Sequence, residues 1–258
     1  MNLFIVTGGS KGLGEALVNK ALAENNYVLS ISRSGHKPDK KKNGQLLEIK
    51  ADLSKNFLAV EKKLNKALKK INFKKIENVY LVNNAGQIKP VAPVGKLDSS
   101  EVEKHIYLNY MAPVLMTNWL LAQKFKNSGY QVVAQISSGA AHFAIPSWSI
   151  YCSGKAALEM FNSVMQLQLT DVNENQKAVP IKNLKTKIKV FTYSPGIIDT
   201  GMQKTIRSLK TADFPDVARF KEYKDNNSLR SAKEVAEHLF KILETPEKIT
   251  EKSYSLEL

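Results

Sequence analysis

The sequence predicts an α/β protein with a parallel, doubly wound β-sheet of about seven strands and helices on both faces. Two observations lead to this class. Short apolar runs typical of buried strands alternate with longer amphipathic segments from one end of the 258 residues to the other. A cluster of glycines also separates the first apolar run from the first amphipathic segment. The length suits a single domain covering residues 1–258.

Seven runs are predicted as strands because they are short, largely apolar and rich in β-branched or aromatic residues. They are Leu3–Thr7, Tyr27–Ser32, Gln45–Lys50, Val79–Asn83, Gln131–Ser137, Lys187–Tyr193 and Tyr254–Leu256.

Apolar residues at helical spacing predict the helices between these strands. The segments lie at about 13–24, 58–71, 100–126, 151–170 and 231–243. The second segment is an amphipathic surface helix whose apolar residues recur among lysines, at Leu58, Val60, Leu64, Leu68 and Ile71. The lysine run Lys40–Lys42 and the polar insertion Asp171–Thr186 lie in connections, and the alternation resumes after each, which favours one domain.

The charge and composition exclude several classes of protein. Lys and Arg number 38 against 24 Asp and Glu, a formal charge of +14, yet 43% hydrophobic residues argue against disorder. One cysteine allows no internal disulfide and no multi-cysteine zinc site, which suits a reducing compartment, and we expect the cytoplasm. The first residues predict a strand and not a signal peptide. No apolar stretch approaches the roughly 18 residues of a membrane-spanning helix.

The first strand ends in the run Thr7-Gly8-Gly9-Ser10-Lys11-Gly12-Leu13-Gly14. Glycines between a strand and a helix allow a tight turn, a close approach to a pyrophosphate and phosphate binding at the helix N-terminus. This is the fingerprint of a Rossmann-type dinucleotide site. The alternative is a tight turn without a ligand.

The end of the second strand indicates which dinucleotide is bound. A site for NAD usually carries an acid about 20 residues after the glycines, at the ribose 2′-hydroxyl. Here that position reads Ser30-Ile31-Ser32-Arg33-Ser34, with no acid. Arg33 can pair with a 2′-phosphate, and Lys11 in the glycine turn can reach the same group, so NADP(H) is favoured. The alternative is that both are ordinary exposed cations.

Tyr151 and Lys155 lie four residues apart on a predicted helix and therefore share a face. Such a pair is expected by chance in a lysine-rich chain, so its weight comes from other polar residues. Ser138 follows the fifth strand, and Asn109 lies within a helix where asparagine has no capping role. The fourth strand ends in Asn83-Asn84-Ala85-Gly86, and Pro195-Gly196 follows the sixth.

In these motifs and their order, the chain resembles the short-chain dehydrogenase/reductase family over essentially its whole length. The segments Tyr151–Ala157 and Asp199–Gln203, with Trp148, resemble the group that contains the sepiapterin reductases and the benzil reductases. Leu13–Ala16 and Ile31–Arg33 favour the second of these. The sepiapterin-type alternative requires an acid near the C-terminus, where only Glu257 can serve.

The resemblance implies a role for each site residue. Tyr151 is the general acid, Lys155 holds the nicotinamide ribose, Ser138 donates to the substrate carbonyl, and Asn109 positions the lysine and a water relay. We expect the Lys155 cation to lower the pKa of Tyr151 from its usual value of about 10. The other implied cofactor residues, beyond Arg33, are Gly8, Ser10, Lys11, Gly12, Leu13, Gly14, Asp52, Leu53, Asn84, Ala85, Gly86, Pro195, Gly196, Ile198 and Thr200. The implied substrate residues are Ser138, Trp148, Tyr151, Met202 and Gln203, with a mobile substrate segment at about 200–228.

The sequence therefore predicts an NADPH-dependent carbonyl reductase acting on an aromatic or vicinal dicarbonyl compound, with a homodimer or homotetramer implied by the resemblance. Two alternatives stay open. The chain could be a non-enzymatic NADP(H) sensor, because a fold does not fix a function. The complete set of Asn109, Ser138, Tyr151 and Lys155, called the tetrad below, argues against this. Nucleic-acid binding through the basic surface is the other, but the lysines lack interleaved arginines and base-stacking aromatics. We therefore expect neither a nucleic-acid nor a membrane partner.

Overall fold

The computed structural model describes residues 1–35, 44–123, 125, 129–169 and 187–256. Seven parallel strands form one sheet in the order β3-β2-β1-β4-β5-β6-β7, which confirms the predicted fold class. The strands are β1 (Leu3–Thr7), β2 (Tyr27–Ser32), β3 (Gln45–Lys50), β4 (Val79–Asn83), β5 (Tyr130–Ile136), β6 (Lys187–Ser194) and β7 (Ser253–Ser255). The run Lys40–Lys42 and the insertion Asp171–Thr186 lie outside the described residues.

The helices follow the predicted alternation, with two differences. They are α1 (Gly12–Ala23), α2 (Phe57–Leu68), α3 (Ser99–Ile106), α4 (Ala112–Ala122), α5 (Ser149–Leu169), α6 (Gly201–Arg207), α7 (Val217–Asp225) and α8 (Ala232–Glu244). Short 3₁₀ turns lie at Phe73–Lys75, Gly139–Ala141 and Pro246–Lys248. The single helix predicted at 100–126 is two helices joined by a π-helical turn at Tyr107–Met111. The substrate segment (residues 200–228) contains α6 and α7.

The central strands are buried on both faces because helices cover both. Along β1, Leu3 and Ile5 enter one apolar layer with α2, α4 and α5. Phe4 and Val6 enter the other layer with α1 and α8. This alternation follows from the two-residue period of a strand. A fully apolar strand is therefore what a two-sided parallel sheet requires.

Helix α2 has the predicted apolar face except at Leu58, since Val60, Leu64 and Ile71 are buried as expected. Phe57, Val60 and Leu64 are buried, whereas Leu58, which we assigned to the apolar face, is 57% exposed. Residues 57, 60, 64 and 67 share one face at helical spacing, and Leu58 lies about 100° away from it. The lysines of α2 are exposed, as expected for an amphipathic surface helix.

Parallel strands bring their carboxyl ends to one edge of the sheet, where ligands of such sheets bind. Here this edge carries the glycine turn after β1, Asn84 after β4, Ser138 after β5 and Pro195 after β6. Among the described residues, no helix is long and apolar enough to cross a membrane.

The two leucines of α2 give a direct test of this packing. We expect Leu64→Ala to lower the free energy of unfolding by about 2–5 kcal/mol, because Leu64 is fully buried and its shortened side chain leaves a cavity. Leu58→Ala, in the same helix, should change it by less than about 0.5 kcal/mol. Urea unfolding of both variants measures the difference, and equal losses would contradict the packing of α2.

Candidate active site

The glycine turn between β1 and α1 is shaped for a phosphate. Gly8 has a φ of +71°. A Cβ on Gly14 would lie 2.3 Å from the Gly8 carbonyl oxygen, so only glycine fits there. The first turn of α1 has no side-chain capping bond at Lys11, which leaves its N–H groups facing the turn. Ser10 is half-buried and Leu13 is buried in this turn. The residues present therefore fit the pyrophosphate of a dinucleotide.

Thr7 fastens the end of β1 to the end of β4. Its hydroxyl oxygen accepts hydrogen bonds from the backbone N–H groups of Asn84 and Ala85, each at 3.0 Å. The Asn84 amide returns a bond to the Thr7 carbonyl at 2.9 Å. A Cβ on Gly12 would lie 3.3 Å from the Thr200 methyl group, so the loop after β6 also reaches the turn. The same loop contains Pro195, Gly196 and Ile198.

The predicted 2′-phosphate residues follow β1 and β2, whereas Ser138 follows β5 further along the same sheet edge. β1 and β2 pair in parallel with Thr7 opposite Ile31, so the glycine turn and Arg33 are side by side. Arg33 and Lys11 are exposed. Burial alone would raise the pKa of Asp52. Hydrogen bonds from Ser54 and the charge of Arg33 outweigh burial, so the pKa lies below its usual value. Leu53 is buried in the core.

The structure brings Ser138, Tyr151 and Lys155 together. Tyr151 and Lys155 lie one turn apart on α5, and both are buried, with 7% exposure each. Ser138 follows β5, and its hydroxyl is near enough to the Tyr151 phenol to favour the ionised phenolate. Lys155 Nζ donates to the Ile136 carbonyl at 2.6 Å and lies 5.8 Å from the centre of the Tyr151 ring. The phenol thus has a hydroxyl and an ammonium group as neighbours.

Burial sets the pKa of both residues of α5. The pKa of Tyr151 is raised, mainly by burial, although the neighbouring Ser138 hydroxyl opposes this. The expectation that the Lys155 cation lowers this pKa is wrong for this arrangement, because burial raises it. Burial also lowers the pKa of Lys155 to about 8, while the Glu159 carboxylate opposes the shift.

Asn109 lies in the π-helical turn and is 1% exposed. Its side-chain oxygen accepts from the Gln87 N–H at 2.9 Å, and its amide donates to the Gln87 carbonyl at 2.8 Å. A Cβ on Gly86 would lie 3.5 Å from the Asn109 oxygen. Asn109 therefore joins the loop after β4 to the helix that carries it, close to α5.

Glu159 and His105 are site neighbours that the sequence analysis missed. Glu159 lies one turn after Lys155, where one carboxylate oxygen accepts a hydrogen bond from Ser137. The other oxygen lies 3.0 Å from His142 Nε2. His105 lies one turn before Asn109 and is fully buried. Glu159 lies four residues after Lys155, and His105 lies four residues before Asn109. This spacing was the available signal in the sequence, since residues four apart share a helix face.

An aromatic cluster covers Tyr151. The Trp148 ring stacks on the Phe214 ring, with centres 5.1 Å apart and an interplanar angle of 5°. Its centre is 5.4 Å from that of the Phe220 ring. Its ring also meets Tyr151 edge to face at 5.4 Å. Phe214 and Phe220 come from the substrate segment, and the sequence analysis missed both because their partner is distant in the chain.

Polar atoms of the predicted substrate residues are buried in the same region. Gln203 is 8% exposed and Met202 packs against the aromatic cluster. The Trp148 indole N–H and the Gln203 side-chain oxygen have no hydrogen-bond partner within the described parts of the chain. Buried polar atoms normally have partners, so these two atoms are available to bond a ligand or a water molecule.

The model of the family described as short chain dehydrogenase matches residues 2–211. This chain belongs to that family. Members are oxidoreductases that use a nicotinamide cofactor, and the glycine turn, the serine–tyrosine–lysine group and the asparagine stand at the sheet edge where such a cofactor binds. The chain is therefore an oxidoreductase of the short-chain dehydrogenase family.

Several known short-chain dehydrogenases resemble this one closely. A benzil reductase ((S)-benzoin forming) of Bacillus subtilis is 34% identical over 244 residues, covering 95% of this chain and 94% of the relative. The Bacillus cereus protein of the same name is 30% identical over 257 residues, covering 96% of each chain. A sepiapterin reductase of Xenopus tropicalis is 33% identical over 147 residues, but covers only 56% of this chain and 49% of the relative.

The crystal structure of the KRED1-Pglu enzyme superimposes with a TM-score of 0.79 at 26% identity. The match covers 98% of this chain and 100% of that one. The predicted family and group are thus confirmed. Glu257, on which the sepiapterin-type alternative depends, lies outside the described residues.

Removing the Glu159 charge tests the electrostatics of the site. We expect Glu159→Gln to lower the pKa of Lys155 below its value of about 8, because the carboxylate that favours the ammonium form is lost. An NMR titration of the lysine side chains measures this pKa. Glu237→Gln removes a surface carboxylate on α8 and should leave it unchanged. An unchanged or raised pKa in Glu159→Gln would contradict the assignment.

Proposed function

We propose that this short-chain dehydrogenase is an NADPH-dependent carbonyl reductase acting on an aromatic or vicinal dicarbonyl compound such as benzil. The observation that carries the proposal is the Tyr151 phenol, which has Ser138 and Lys155 as neighbours, at the sheet edge that also holds the glycine turn. A ketone reduction needs a proton donor at the carbonyl oxygen, and this phenol is the candidate.

The residues have complementary roles in the reaction. NADPH, when bound, supplies the hydride to the carbonyl carbon. Ser138 donates a hydrogen bond to the carbonyl oxygen, and Tyr151 gives that oxygen its phenolic proton, so a ketone becomes an alcohol. The Lys155 cation stabilises the phenolate that Tyr151 leaves behind. With a pKa of about 8, Lys155 is mainly cationic at neutral pH.

The preference for NADPH rests on charge. Lys11 lies within the glycine turn and Arg33 lies beside it, and both side chains are exposed. No acid stands at residues 32–34, where a carboxylate would repel a 2′-phosphate. Guanidinium groups bind phosphate with two parallel hydrogen bonds, which makes Arg33 the principal contact.

The preference for an aromatic dicarbonyl rests on the cluster above Tyr151. Trp148 already holds an aromatic ring, that of Phe214, in a parallel stack beside the phenol. Because Tyr151, Trp148 and Phe214 are all buried, the substrate segment has to move before a substrate reaches the phenol. An aryl group of the substrate can then replace Phe214. The buried Trp148 N–H is a donor for a second carbonyl oxygen, and two similar relatives are benzil reductases.

A NADPH oxidation assay tests the function. Wild-type protein should oxidise NADPH with benzil and other 1,2-diketones faster than with sepiapterin. Tyr151→Phe should lose essentially all turnover, since the proton donor is gone, and should still bind NADPH. Turnover in Tyr151→Phe would contradict its role as the acid. Equal use of NADH would contradict the roles of Arg33 and Lys11, and faster turnover of sepiapterin would favour the pterin alternative. Cofactor binding without turnover of any carbonyl would favour the sensor alternative.

We also propose that the chain forms a homo-oligomer, working in the cytoplasm, through the outer face of α5. Met160, Val164 and Leu167 are 66%, 47% and 52% exposed and recur at helical spacing along that face. An exposed apolar stripe of this kind is typical of a surface that another protein covers, and a second copy offers the same stripe.

We expect wild-type protein to sediment as a dimer or tetramer and Met160→Glu to sediment as a smaller species, because a charge in an apolar interface is costly to desolvate. Leu58→Glu changes an equally exposed apolar residue on α2 and should leave the mass unchanged. A monomeric wild type at micromolar concentration would contradict the proposal.

A further inference from the structure

His105 is a fully buried histidine that none of the motifs includes. It lies in the last turn of α3, four residues before Asn109. A buried imidazole needs a hydrogen-bond partner for each ring nitrogen, and the identity of the partners decides which nitrogen carries the hydrogen.

The two partners of His105 impose one tautomer. Nδ1 lies 2.6 Å from the Lys89 carbonyl oxygen. A carbonyl oxygen can only accept, so the hydrogen is on Nδ1. Nε2 lies 3.0 Å from the side-chain amide nitrogen of Asn109, and in a neutral ring it accepts a hydrogen bond from that amide.

The orientation of the Asn109 amide follows independently from Gln87. The Gln87 N–H needs an acceptor and receives the Asn109 oxygen at 2.9 Å. The Gln87 carbonyl needs a donor and receives the Asn109 nitrogen at 2.8 Å. Turning the amide over would break both bonds, so the NH₂ group has to face His105. The bonds to Lys89 and to Gln87 thus require the same neutral imidazole.

The same ring also touches the proton donor. His105 meets the Tyr151 ring edge to face, with centres 5.9 Å apart and an angle of 88°. A Cβ on Gly154 would lie 3.6 Å from His105 Nε2 and 4.0 Å from the Asn109 Cβ, so α5 packs directly against the pair. His105 therefore contacts two of the four tetrad residues, from a position behind them.

We propose that neutral His105 is a positioning residue that holds the Asn109 amide and the Tyr151 ring in place, an arrangement called the lock below. Protonation of His105 disrupts this arrangement and slows turnover at low pH. This inference rests on the proposed reductase function. Protonation would place a hydrogen on Nε2 opposite the Asn109 NH₂ group, donor against donor. Relief requires either loss of that contact or reversal of the amide, at the expense of both bonds to Gln87.

The surroundings keep the ring neutral near pH 7. The described titratable groups that face His105 are Lys155 and Tyr151, both from α5, since Lys89 contributes only its backbone carbonyl. Burial lowers the pKa of His105 and the Lys155 charge lowers it further, while the bond to Lys89 opposes this. The folded protein thus takes up this proton at lower pH than the unfolded chain. The lock should therefore fail only below the ordinary histidine pKa of about 6.5.

Kinetics of three variants of the full chain test the lock. His105→Leu removes the acceptor and should lower kcat about 10-fold with little change in KM, because misplaced catalytic groups cost rate more than binding. His105→Gln offers an oxygen to Asn109 without titrating. It should retain most of kcat and lose the fall in kcat that the wild type shows in acid. His238→Gln, at a half-buried histidine bonded to Tyr193, should keep the wild-type pH profile.

NMR of ¹⁵N-labelled wild-type protein tests the tautomer without any turnover. The His105 signals, assigned by their loss in His105→Gln, should show a neutral Nδ1–H ring with a pKa below 6.5. An Nε2–H tautomer, a higher pKa, or an acid fall in kcat that persists in His105→Gln would overturn the proposal. If His105→Leu does not fold, the glutamine variant and the NMR titration still decide. If the wild type reduces no carbonyl but shows this tautomer, the proposed function fails while the hydrogen-bonded lock stands.

Discussion

The hydrogen bond from Lys155 Nζ to the Ile136 carbonyl, at 2.6 Å, holds the candidate site together. It joins α5, which carries Tyr151, to the end of β5, which leads into Ser138. An ammonium group that is 7% exposed has lost most of its hydration, so its remaining partners decide whether it stays charged. The Ile136 carbonyl accepts its hydrogen bond and the Glu159 carboxylate favours its charged form, yet burial still lowers its pKa to about 8.

The burial that perturbs Lys155 also affects Tyr151. The substrate segment places Phe214 over Trp148 and leaves the phenol 7% exposed, which raises its pKa. A phenol with a raised pKa holds its proton more firmly, which agrees with the proposed role of Tyr151 as the proton donor. Movement of the segment would open a path for the substrate and would also change the burial that sets the Tyr151 pKa. The same aromatic contacts would then control both substrate access and the acidity of the phenol.

Hydrogen bonds outside the tetrad join the segments that carry and surround its members. Thr7 fastens the glycine turn to Asn84, Glu159 bridges Ser137 and His142, and His105 fixes the amide of Asn109. Each uses a buried or half-buried hydrogen bond whose loss would leave a partner unsatisfied. The site is therefore specified by a second layer of polar contacts as much as by the residues that meet the substrate.

The sequence by itself determined the fold class, the seven strands and the positions of the glycine turn and the tetrad. Strand and helix periodicities are local, and the glycine, asparagine, serine, tyrosine and lysine motifs keep a fixed order along the chain. Leu58 shows the limit even here: it is exposed while its neighbour Phe57 is buried, since adjacent residues lie about 100° apart around a helix. Only the tertiary structure decided the stack of Phe214 on Trp148, the raised pKa of Tyr151 and the tautomer of His105. Those depend on burial and on partners such as Lys89 and Gln87, which folding brings close and which no local pattern in the sequence reveals.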